Sequence, residues 1–202
     1  MKKLLLLLPI ALMLSFSVSD STLTKKERKF AKDHLKETKK DLLKTVDGLS
    51  AAQLSFKVDS SRWSVEDCIK HIAMAEMGLW KAVTDGLFQP PNPEKRAEIK
   101  MTDEQLVKGI QDRGTKFQAP EPLQPKNTPF KSAEEALNSF KESRNKLISY
   151  IDDSQEDFRN HVINFPVGLM DAYQMVLLIS AHSNRHTQQI KEVMADPNFP
   201  KQ

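Results

Sequence analysis

Four long amphipathic helices, and hence an all-α four-helix bundle, are what the sequence predicts, on three observations. Charged residues interleave with apolar ones at spacings of three and four rather than two. Glycine is scarce, with six residues in 202. A short oxygen-bearing side chain three residues ahead of a carboxylate or amide, the signature that caps free helix N–H groups, recurs before each apolar-periodic run. The length and a hydrophobic content of 39% suit one domain with one core.

Residues 1–19 stand apart. Met1-Lys2-Lys3 ahead of an apolar run from Leu4 to Phe16 has the form of a secretory signal, and Ser17 and Ser19 suit the small-residue positions of a cleavage site before Asp20. The run falls short of the about 20 residues that span a bilayer, and no cysteine follows it to take a lipid. An exported, periplasmic or extracellular protein is expected, with a mature domain over 20–202 and no membrane partner after cleavage; retention as an anchor is the alternative.

Thr24 with Glu27 opens the first long helix, from about Lys25 to Val46, which buries Ala31, Leu35, Leu42 and Val46 and stops at Gly48. A polar connection follows, with a turn of helix at Ala51-Ala52-Gln53-Leu54, and ends in Trp63, placed to staple against Cys68 or Ile69. Ser64 with Asp67 opens the second long helix, whose stripe is Val65, Ile69, Ile72, Ala75, Leu79 and Val83. Gly78 and the alanines near it leave room for another backbone. Proline then breaks the chain repeatedly between Pro90 and Pro129. Thr102 with Gln105 places a short helix inside this long connection, to about Arg113, so the segment is read as an ordered flap over one end of the bundle. The third long helix, from Ala133 behind Ser132 and Glu135 to about Ile151, buries Ala136, Leu137, Phe140, Leu147 and Ile148. Gln155 to Gly168 reads as an irregular connection. Asp171 with Gln174 caps the last helix, which runs to Met194 before Asp196-Pro197. Met74, Trp80, Phe88 and Tyr173 are read as core or bundle-end packing.

Loss of Lys2 and Lys3 with the signal lowers the formal charge from +3 to +1. A near-neutral chain without a basic stripe is not a nucleic-acid binder. Cys68, the single cysteine, excludes an internal disulfide and reads as a small buried hydrophobe.

The chemistry sits in the last helix. Its apolar stripe of Met175, Ile179, Ile190 and Val193 passes through His182 and His186, so two imidazoles occupy positions that packing alone fills with hydrocarbon. Residues four apart stand above one another on a helix and aim one nitrogen each at a common point. A buried ring without a partner costs a few kcal/mol, and a metal ion is a partner that two rings can share. Of the other histidines only His71 lies mid-helix beside an apolar stripe. Three neutral nitrogens leave coordination positions for water or a small-molecule substrate, as at catalytic sites; zinc, nickel and iron(II) all accept such a set. Alternatively, the histidines hydrogen-bond to one another or to a carboxylate such as Asp67, one turn before His71. Gln189, three residues after His186, is placed to hold a metal-bound water. Ser183 and Arg185 point away from the ligand face, and His34 and His161 are expected to be solvated.

Trp63-Ser64-Val65 with Ile69-Lys70-His71-Ile72, and His182-Ser183-Asn184-Arg185-His186-Thr187-Gln188-Gln189-Ile190, resemble the DinB-like superfamily of bacterial four-helix bundles over about residues 25–195. The resemblance implies a divalent-metal site at His71, His182 and His186, and a homodimer. Members with assigned activities are thiol transferases and isomerases. The functional expectation is an exported metal-binding protein acting as a metal-dependent hydrolase or thiol transferase, with a non-catalytic metal- or ligand-binding dimeric bundle as the rival.

Overall fold

A computed structural model describes residues 22–201, so the expected signal segment lies outside the described residues. Four long helices form where the caps predict them: α1 (Lys25–Val46), α3 (Val65–Leu87), α5 (Ala133–Asp153) and α6 (Ala172–Met194). Two short ones, α2 (Ala51–Ser55) and α4 (Asp103–Gln111), lie in the connections. Reciprocal capping boxes start α1, α2, α3 and α4, while the Ser132 and Asp171 side chains accept the first free N–H groups of α5 and α6. Gly48 ends the turn after α1 in the left-handed region, at φ +70°.

In cross-section α1 and α3 each pack on both α5 and α6, so the first two long helices face one another across a diagonal. Helix α4 lies along α6 and contributes the buried Leu106. All six stripe positions predicted for α3 are buried. The apolar core falls into two clusters. One holds Leu35, Leu79, Leu147, Phe158 and Tyr173; the other holds Leu42, Ile69, Phe140 and Ile190.

Three expectations are corrected. Residues 155–168 are not wholly irregular: β1 (Val162–Phe165) pairs antiparallel with β2 (Gly168–Asp171), closing on a two-residue turn. Four-residue strands carry too little alternation to stand out from a loop. The glycine that admits a close neighbour is Gly86, where an added Cβ would lie 2.5 Å from the Ile163 side chain of this hairpin; Gly78 faces open space. Phe88 lies 87% exposed rather than in the bundle end, because α3 has already ended at Leu87.

Candidate metal centre

Helix α3 presents His71 two turns after its Ser64 cap, and α6 presents His182 and His186 one turn apart. The ring of His71 donates Nδ1–H to the Leu123 carbonyl at 2.7 Å, which fixes its tautomer and turns the Nε2 lone pair inward. That atom lies 3.2 Å from Nε2 of His182. His186 donates Nδ1–H to Oε1 of Gln189 at 2.9 Å, leaving its Nε2 lone pair free. One ring nitrogen from each histidine lies within 4.8 Å of the others. Two ligand nitrogens held tetrahedrally at 2.0–2.1 Å from one ion stand roughly 3.3 Å apart, so the His71–His182 separation already fits a shared cation.

The surroundings keep the rings neutral. Trp63 stacks on His186 and lies tilted against His71, with centroids 5.8 and 4.8 Å away. His71 and His186 are buried, and His182 is half-buried. Desolvation lowers all three pKa values, taking His182 down to about 3 with help from the neighbouring His71, Arg185 and Arg144. Arg113 acts on His186 in the same sense. At neutral pH the cluster therefore offers unprotonated imidazoles and no carboxylate.

Sequence reasoning brought the three histidines together, and the structure does the same. It departs elsewhere. Asp67 bonds the Ser64 N–H at 3.0 Å and pairs with Lys57, and His71 takes a backbone carbonyl instead. Gln189 holds the His186 ring itself. His34 is not solvated: it contacts Ser180 at 2.7 Å and Gln111 at 3.2 Å. His161 is buried between the carbonyls of Asp157 and Gln89, which the new hairpin brings within reach. Ser183 and Arg185 do point off the ligand face, yet both are buried. Arg185 donates to the carbonyls of Ile110 in the last turn of α4 and of Asp112 and Thr115 just beyond it, and Ser183 meets Arg144. The buried pair Arg144 and Glu76 was missed. Its signal was present, because Arg144 fills the gap between Phe140 and Leu147 in the α5 stripe.

A four-helix bundle with three inward histidines, two from its last helix, defines a class of metal-centre protein. The model of the DinB superfamily matches residues 34–190, more than three quarters of the chain, and the chain belongs to that superfamily. An uncharacterised protein, YuaE of Bacillus subtilis (strain 168), is 27% identical over 147 residues, covering 72% of this chain and 86% of that protein. Among solved structures, YfiT from Bacillus subtilis superposes with a TM-score of 0.57 at 17% identity, covering 86% of this chain and 89% of that one. YfiT is described as a probable metal-dependent hydrolase with an unusual four-helix bundle topology.

Proposed function

We propose that this protein is a metal-dependent hydrolase in which His71, His182 and His186 hold one divalent cation, zinc, nickel or iron(II). The observation that carries the reading is the convergence of three neutral ring nitrogens within 4.8 Å, without a carboxylate among them. Superfamily membership and the description of YfiT support it. A bound cation supplies Lewis acidity for polarising an acyl or phosphoryl oxygen and activating water. The chain's own residues prepare the place. Leu123 and Gln189 set two tautomers, Trp63 covers one side against solvent, and the half-buried His182 marks the approach.

Thiol addition and transfer is a second reaction for the same centre, supported by the family resemblance. A non-catalytic bundle that holds the same cation without turnover is the rival reading, and it needs only the three converging ring nitrogens. Export, supported by the N-terminal sequence, and homodimer formation, supported by the resemblance, belong to the proposal. N-terminal sequencing of the mature protein and light scattering test them.

The central experiment is elemental analysis of the purified protein beside a screen of chromogenic esters, amides and thiol-transfer substrates. About one cation per chain is expected, with turnover that a chelator abolishes and the cation restores. His182→Ala should remove the metal and all activity. Absence of stoichiometric metal, or unchanged metal content in His182→Ala, overturns the reading; metal without turnover of any substrate favours the binding bundle.

A further inference from the structure

Two of the four long helices carry no histidine of the centre, yet both are tied to the two that do by a single side chain. Arg144 of α5 is fully buried, and all five of its N–H groups have partners. Its Nε and Nη2 form a fork on Glu76 of α3 at 2.6 and 2.7 Å. Its Nη1 reaches the Leu35 carbonyl and Thr38 Oγ1 of α1 at 3.0 and 2.8 Å. The second Nη2–H meets Oγ of Ser183 on α6, the residue after His182, at 3.0 Å. Thr38, Glu76, Arg144 and Ser183 thus form a polar layer between the two apolar clusters, with one member from each long helix.

Apolar layers tolerate sliding and repacking, whereas a planar fork with five assigned partners tolerates neither. A buried ion pair also adds little net stability over hydrocarbon of the same volume. Metal ligation, in contrast, demands that His71 and His182 approach from different helices within a few tenths of an ångström. We propose that Arg144 and Glu76 are positioning residues for the metal centre, fixing the axial register of α3 against α6 so that His71 meets His182 and His186.

This inference rests on the proposed metal site, and its test separates the two. The double variant Glu76→Leu/Arg144→Met replaces the pair with hydrocarbon. It leaves no hydroxyl donor stranded, because Thr38 Oγ1 also donates to the His34 carbonyl and Ser183 Oγ to the Ser180 carbonyl. Metal affinity is measured by chelator competition well below the melting temperature, and the Co(II) absorption spectrum reports ligand geometry. The expected result is a folded protein melting within about 5 °C of wild type, with affinity at least about tenfold weaker and an altered Co(II) spectrum. Wild-type affinity and spectrum in the double variant overturn the inference. Should the double variant not fold, Ser183→Ala decides, since it cuts only the tie to α6: weaker affinity with unchanged helix content supports positioning, and unchanged affinity overturns it. A wild-type protein that binds no metal overturns the proposed function instead.

Discussion

Arg159 and the histidines interrupt the apolar bundle at different places, and they differ in whether they close on themselves. Arg159 is complete. Its five N–H groups reach Glu27, Asp103 and Asp171 at 2.6 to 3.1 Å, and its Cζ lies 4.2 Å from the Tyr173 ring centroid. The three carboxylates stand in the first turns or at the caps of α1, α4 and α6, so one cation gathers three helix N-termini. The histidine cluster is incomplete: the outer N–H groups of His71 and His186 are bonded, while one inner nitrogen from each of the three rings converges on a shared point. A polar cluster that satisfies itself serves the fold, and one that leaves converging lone pairs is shaped for something else to bind.

Removing the closed cluster's cation should give the largest stability effect. Arg159→Met strands three carboxylates, one of them the nearly buried Asp171. Because the Arg159 side chain keeps 18% exposure, the loss is set below that of a fully buried pair, at about 2–3 kcal/mol. In a protein of this length that is a fall in melting temperature of roughly 5–10 °C. Metal content should stay at the wild-type value. Loss of metal together with stability would break the comparison, since the two clusters would then be one system.

Acid separates them further. The three ring pKa values are lowered on folding, so the unfolded chain binds more protons wherever pH lies below 6.5 and above the folded values. Metal-free protein should hold its stability above pH 6.5 and lose it as pH falls, down to about 3 for His182. Each ring contributes about 1.4 kcal/mol per pH unit. His34, also lowered by burial, adds with the same sign. Glu27, which desolvation pushes up but hydrogen bonds from Thr24 and Arg159 together hold below its usual 4.5, contributes stability that is lost only at lower pH. Denaturant titrations between pH 6.5 and 4.5 therefore read the histidine end, and His182→Gln should flatten the slope by one proton. An unchanged slope would show that this ring is not kept neutral.

The contrast also explains how much the sequence could reveal. Caps and stripes are local, so the four long helices, α4 and the α6 histidines were legible from spacing alone. His71 came from the same periodicity and from the family motif. What stayed hidden depends on backbone that only tertiary folding brings near. The Leu123 carbonyl that holds His71 is 52 residues away in sequence. The partners of Arg159 come from three separate elements, and no spacing rule joins them. Arg144 is the intermediate case: its position in the α5 stripe was readable, but its partners were not. The two four-residue strands fell below the length at which alternation speaks.

The finest test of the open cluster bears on the group behind a ligand rather than on a ligand. Gln189→Leu keeps the size of the side chain while removing the acceptor of the His186 Nδ1–H. Without that acceptor the ring no longer prefers the tautomer whose Nε2 lone pair faces His71 and His182, and the proton can occupy the ligating nitrogen instead. The expected cost is about tenfold in metal affinity, near 1.4 kcal/mol, with little change in the stability of the metal-free protein. Asp67→Asn provides the contrast, because Asp67 serves the α3 cap and Lys57 and touches no histidine. It should cost stability and leave chelator competition unchanged. Equal affinities for Gln189→Leu and wild type would mean that the tautomer of His186 is set by the other two rings, and that the cluster is more nearly closed on itself than its hydrogen bonds indicate.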